Sequence, residues 1–190
     1  MLAAMKHPLP RALLGLVLSS CGDDGNRPST DGAASDTVAV TSAAFVEGGA
    51  IPIAHTCKDA NTSPALSWAG APGGTQSFAV VLTDLSLTPH LVHWVIYDIP
   101  AAATGLPEGV ENTYAPASVT PAHQAVSVHA PIVGYYGPCP PSQHTYEFAA
   151  YALDVATLPG ATDQTSRADA LTSILAHKLG TGTLTGSFTP

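Results

Sequence analysis

Positive charge is scarce in this chain, with six Lys and Arg against 14 Asp and Glu over 190 residues and a formal −8 at neutral pH. No cluster of Lys or Arg occurs anywhere in it. Nucleic-acid recognition needs a basic patch and is thereby excluded, as is adsorption to anionic lipid by charge. Long apolar runs are also missing: none reaches the roughly 18 residues that cross a bilayer, and the mature chain is not expected to span one. There is no zinc-protease helix motif, no nucleophile elbow, no phosphate-cradling glycine loop and no repeat of fixed period. Cysteine is limited to Cys21, Cys57 and Cys139. What is present is 45% hydrophobic and 11% charged residues, enough for one real core and one domain.

The first 20 residues read as processing information. Lys6 and Arg11 precede a short apolar run, Ala12 to Leu18, that ends at Leu18-Ser19-Ser20-Cys21. This resembles a bacterial lipoprotein signal peptide (1–20), with Cys21 as the lipid attachment site after cleavage; the alternatives are an ordinary secretory signal or a start at Met5. Residues 21–36 are rich in Gly, Asp, Ser and Thr and carry almost nothing apolar, so they read as a flexible tether. The domain is expected over 37–190. Cleavage also removes Lys6 and Arg11, leaving four basic against 14 acidic residues, a formal −10. The location is then the periplasm or cell surface, anchored at the membrane. In that oxidising setting Cys57 and Cys139 either pair in a disulfide or sit apart as two buried thiols.

Most of the domain reads as short strands between Gly and Pro. Ser77 to Thr83, Leu91 to Ile99 and Tyr146 to Asp154 are the clearest, with Val38 to Val46 as a first strand and Gly182 to Phe188 as a last one. The stretch from Glu111 to Pro131 reads as irregular. One helix is predicted from Arg167 to Leu179, capped by Ser166 with Asp169 three residues on, with Leu171, Ile174, Leu175 and Leu179 on one stripe and Gly180 as its stop. Many strands and one late helix argue for a mainly β, β-rich α+β fold rather than alternating βαβ units.

Polar residues of chemical interest fall at strand ends. In Gly137 to Tyr146, GPCPPSQHTY, three prolines stiffen the approach to a strand on which His144 and Tyr146, two apart, share a face. His93 lies within an apolar strand and Asp84 ends the strand before it. Loops carried on a sheet edge commonly build binding sites from such residues.

These motifs, TCKDANTSPALSW (56–68), Asp84, VHWVIYDIPA (92–101), YYGPCPPSQHTYEFAAYALD (135–154) and LAHKLGTGTLTGSF (175–188), resemble in that order the bacterial branch of the phosphatidylethanolamine-binding protein family, the Raf kinase inhibitor-like proteins. The resemblance covers about Phe45 to Phe188. It implies an antiparallel β-sandwich-like fold with a C-terminal helix and a small cavity for anions such as a headgroup phosphate. It places the pocket on Asp84, His93, His144 and Tyr146, with a rim of Gly137, Pro138, Pro140 and Pro141. It also implies helix residues flanking the pocket and an aromatic at Phe188.

The chain departs from the family pattern around this pocket. The family's Asp-Pro-Asp-x-Pro turn is Asp84-Leu85-Ser86-Leu87-Thr88-Pro89 here, without the second carboxylate or the tight turn. Ser142-Gln143 follows the Pro pair where Gly is usual, and Thr145 replaces an Arg. With no nearby Lys or Arg, anion donors are expected to be His93, His144, the Tyr146 hydroxyl and loop amides.

The reading that follows is an exported, lipid-anchored binding protein for a small anionic or phospholipid-headgroup-like ligand, with no cofactor, no metal and no catalytic role. Its expected partners are that ligand, the membrane through the anchor, and a second copy as a possible homodimer. An inhibitor module that docks on another protein is the alternative the resemblance implies. A hydrolase built on Asp84, His93 and His144 is a third. His90 is no ligand in such a set, since three residues before His93 on a strand it would face the other way.

Overall fold

The computed structural model describes residues 37–190; the signal segment, Cys21 and the tether lie outside the described residues. In chain order the strands are β1 (Ala39–Ser42), β2 (Gly49–Ala50), β3 (Leu66–Ala69), β4 (Ser77–Asp84), β5 (Leu91–Pro100), β6 (Gly105–Leu106), β7 (His123–Gln124) and β8 (His144–Leu153), followed by helix α1 (Arg167–Ala176) and β9 (Lys178–Phe188). They form a three-stranded sheet, β1-β3-β6, and a six-stranded sheet, β2-β9-β8-β4-β5-β7. All named pairings are antiparallel except the short β2–β9 edge.

The apolar runs of β4 and β5 make them central strands, because both faces of the large sheet are covered. Alternation sends Phe78, Val80 and Leu82 to one side, where Trp68 and Leu66 of the small sheet, with Trp94 and Phe148, complete a core between the sheets. Trp68 meets Phe78 at 5.2 Å between ring centroids. Ala79 and Val81 point the other way, onto a second cluster closed by Ala170 and Ile174 of α1.

Two irregularities in β5 position the polar residues. Opposite β4, Leu82 pairs with Trp94 and Thr83 with Val92, so His93 is an unopposed extra residue; Tyr97 and Asp98 likewise face Ala79 alone, between Phe78↔Ile99 and Val80↔Ile96. Asp98 has φ +58°, a conformation Asp tolerates. Such bulges re-aim side chains, and here they return Ile99 to the inter-sheet core and turn His93 toward the sheet's end.

Several expected boundaries are corrected. The first strand ends at Ser42 rather than Val46, since residues 43–48 turn away before β2. α1 stops at Ala176 with His177 as its cap, because the His177 carbonyl accepts from Asp154 N–H at 3.0 Å and Lys178 opens β9 opposite Leu153. Leu179 and Gly180 are therefore strand residues, and Leu175 is 50% exposed instead of lining a stripe. The predicted N-cap is present: Ser166 Oγ accepts from Asp169 N–H at 3.1 Å. The stretch 111–131 contains a 3-10 turn, Ala117–Val119, and β7, whose Gln124 accepts from Trp94 Nε1 at 2.6 Å and donates to the carbonyls of Glu111 and Thr113.

The chain just before β1 lies tight against β9, where Thr37 bridges Thr181 and a Cβ on Gly182 would fall 1.6 Å from the Val38 carbonyl oxygen. Gly182→Ala is therefore expected to push this entry segment off the sheet and destabilise the fold by about 1–3 kcal/mol, as overpacked cores do. A urea titration of the variant checks this, with an unchanged midpoint as the contrary result.

Candidate functional site

A cavity of about 390 Å³ opens where β4 ends and β5 and β8 begin. Asp84 sits opposite Tyr146 in the β4–β8 register, so their side chains stand side by side, and His144 follows two residues away on the same face. His144 Nδ1 lies 2.6 Å from Asp84 Oδ2, while Asp84 Oδ1 accepts from the Ser86 N–H at 2.9 Å. Ser86 Oγ accepts in turn from the Thr145 N–H. The substituted segment after Asp84 is thus held at its start by the aspartate's own side chain.

His93 packs edge-on to Tyr146 at 5.4 Å, and its Nδ1–H donates to the Tyr136 carbonyl at 3.2 Å. Burial holds its pKa below the usual histidine value; the Tyr136 carbonyl and the Asp84 charge pull the other way without prevailing. Burial first, and the Asp84 charge next, push the Tyr146 phenol up, so it stays a neutral O–H. That hydroxyl is fully buried and makes no hydrogen bond of normal geometry. Its polar neighbour is the Asp84 carboxylate, whose weak contact with the phenol adds to the upward push and leaves the hydroxyl incompletely satisfied.

Asp84, His93, Pro140, Pro141, His144 and Tyr146 all line the cavity. Gly137 and Pro138 do not; they act one layer behind it. Gly137 N–H donates to Asn61 Oδ1 at 2.8 Å, and the Pro138 carbonyl accepts from Cys57 N–H at 3.0 Å. A Cβ on Gly137 would lie 2.1 Å from the His55 carbonyl oxygen, which Tyr135 OH also reaches. Cys57 and Cys139 are joined by a disulfide, and Cys139 itself lines the cavity. The rim loop is therefore braced by the segment 55–61.

Neither α1 nor Phe188 lines the cavity. The helix packs against the far face of the sheet, and Phe188 belongs to the inter-sheet core. His93 is also corrected as an anion donor, because its N–H is already engaged and burial disfavours a second one. Sequence reasoning missed Leu87, Leu91, Val128, His129 and Tyr136 in the lining. Leu91, two residues before His93, was open to detection by alternation; Val128 and His129 come from an irregular loop that carries no periodic signal. His129 stacks on Tyr136 at 4.9 Å. Among the described residues no group of three or more His, Cys, Asp or Glu is arranged to hold a metal ion.

A family model described as phosphatidylethanolamine-binding protein matches residues 41–189. A UPF0098 protein of Methanothermobacter thermautotrophicus is 39% identical over 150 residues, covering 76% of this chain and 94% of that protein. A Mycobacterium tuberculosis protein that carries the name lipoprotein LppC is 32% identical over 180 residues, covering 83% of this chain and 85% of its own length. The crystal structure of Escherichia coli YbcL, described as a new member of the mammalian PEBP family, matches with a TM-score of 0.72 at 29% identity, covering 80% of this chain and 98% of that one.

The lowered pKa of His93 ties stability to pH with a definite sign. The unfolded chain takes up a proton near the ordinary histidine value of about 6.5 while the folded one resists it, so this contribution is full above that pH and is lost as pH falls through it. His93→Asn keeps a donor for the Tyr136 carbonyl but cannot titrate. Urea midpoints of the variant are expected to fall less between neutral and mildly acidic pH than those of the parent; parallel falls would contradict this.

Proposed function

The chain belongs to the phosphatidylethanolamine-binding protein family, and on that premise we propose that it is an exported, lipid-anchored binding protein whose cavity takes a small anionic or phospholipid-headgroup-like ligand. The observation that carries the reading is the His144–Asp84 pair with the buried Tyr146 hydroxyl beside it, brought together inside a cavity of ligand size. Binding rather than catalysis is favoured by the lining: no serine, threonine or free thiol faces the space, and its one cysteine is in the disulfide. An inhibitor role has only the family's name behind it. The anchor is supported by Leu18-Ser19-Ser20-Cys21 and by a relative named as a lipoprotein.

An anion in this cavity meets the Tyr146 O–H and, when the ring is protonated, His144. His129 and His144 both line the space, and an imidazole there donates to an anion with a full charge only in its protonated form. Affinity for a phosphate monoester is therefore expected to fall as pH rises from about 5.5 to 8. His144→Ala should weaken acid-side binding by about tenfold or more, the equivalent of one charge-assisted hydrogen bond, and flatten the pH profile. Titration calorimetry with methyl phosphate reads both, and an affinity independent of pH sinks the proposal. Metabolic labelling with palmitate tests the anchor: Cys21→Ser is expected to abolish incorporation, and persistent label in that variant would refute it.

A further inference from the structure

Three Lys and Arg side chains fall within the described residues, Lys58, Arg167 and Lys178, and Arg167 is the half-buried one. It follows the N-cap of α1, and its Nη1 donates to the Val126 carbonyl at 2.8 Å and to the Ser127 carbonyl. Both partners are neutral. Among the described residues no carboxylate lies within ion-pair distance of the guanidinium. Asp169, two residues on, accepts instead from the Ser166 hydroxyl at 2.7 Å and lines a different hollow. Burial lowers the Arg167 pKa, but a guanidinium stays charged in a protein. A partly desolvated charge with only neutral partners favours an anion beside it.

Arg167 is the charged group in the lining of a hollow of about 280 Å³, whose apolar walls come from Val126, Val128, Ala130 and Ala168. Of its two serines, Ser166 is engaged with Asp169, and Ser127 Oγ accepts from the His129 N–H at 3.1 Å. Backbone hydrogen bonds fix the wall: Val128 N–H donates to the His93 carbonyl at 3.1 Å and Ser127 N–H to the Ile132 carbonyl at 2.8 Å. Val128 also lines the cavity at the ends of β4, β5 and β8, so one side chain is shared between two separate spaces.

We propose that this hollow is a second binding site, for a small monocarboxylate whose oxygens accept from Arg167 and whose short alkyl tail lies against Val126, Val128 and Ala168. A guanidinium carries its N–H groups in one plane. With Nη1 on the two carbonyls, Nε and the other Nη remain, and side by side they match the two oxygens of a carboxylate. One cation suits a monoanion, because a dianion would bring a second negative charge, without a partner, into an acidic domain. A volume at the low end for ligand sites selects a molecule of few atoms. This site is separate from the cavity proposed above and stands or falls without it.

Butyrate, n-butylammonium and n-butanol share a tail and differ in charge, and each is titrated into the full chain at neutral pH with protein-detected NMR. Butyrate is expected to saturate with shifts centred on Val128, Ala168 and the Arg167 Nε–H, at about tenfold higher affinity than the other two. Ala168→Glu sets a carboxylate at an exposed position of the hollow, in the first turn of a helix where acidic residues are favourable, and leaves the carbonyl contacts of Arg167 in place. It should abolish butyrate binding, whereas Ala168→Gln, of the same size without the charge, should keep it. Retained binding in Ala168→Glu, equal binding of the three probes, or no saturable binding of butyrate overturns the proposal. Shifts confined to Tyr146 and Leu91 put the carboxylate in the other cavity and overturn it equally.

Discussion

The register between β4 and β8 is the constraint on which core and cavity both depend. Eight consecutive pairs run without a slip from Ser77↔Leu153 to Asp84↔Tyr146, whereas β5 slips twice against the same β4. A shift of one residue would turn every side chain of a strand to the opposite face. Phe148 would then leave the inter-sheet core, and Tyr146 and His144 would leave Asp84. The hydrophobic ladder that stabilises the domain is thus also what sets the aspartate beside the histidine and the phenol.

The irregularities are confined to the neighbouring strand, and each has a local compensation. His93, displaced by its bulge, directs its N–H to a loop carbonyl. Asp98, in the other bulge, accepts from the Leu158 N–H at 2.7 Å and pairs with His123 at 3.0 Å. Buried polar groups that depart from the ladder need such partners. The Tyr146 hydroxyl stands out against that background, because among the lining side chains its buried oxygen makes no hydrogen bond of normal geometry and meets only the charge of Asp84.

Much of this was legible in the sequence for identifiable reasons. β4, β5 and β8 are β-rich apolar runs bounded by turn residues, and Asp84, His93, His144 and Tyr146 lie at or next to their ends. What was not legible depends on contacts distant in sequence. Helix periodicity ran on through Leu179, but pairing of Lys178 with Leu153 captures the chain for β9 first. Gly137 and Pro138 read as rim residues, yet their roles are backbone contacts to Asn61 and Cys57, some 80 residues away. The bulge at His93 leaves no trace in composition, so its engaged nitrogen could not be foreseen from a strand pattern.

The brace between the segment 55–61 and the rim loop has a bearing on entropy. A loop free to fluctuate must be ordered when a ligand arrives, and that loss subtracts from affinity. Here the disulfide, the Asn61 contact, the Tyr135 hydroxyl on the His55 carbonyl and the prolines around Cys139 order the loop during folding instead. The cavity is consequently preorganised: a ligand meets walls already in place, so even a molecule of few atoms can be held without first recruiting its own binding site.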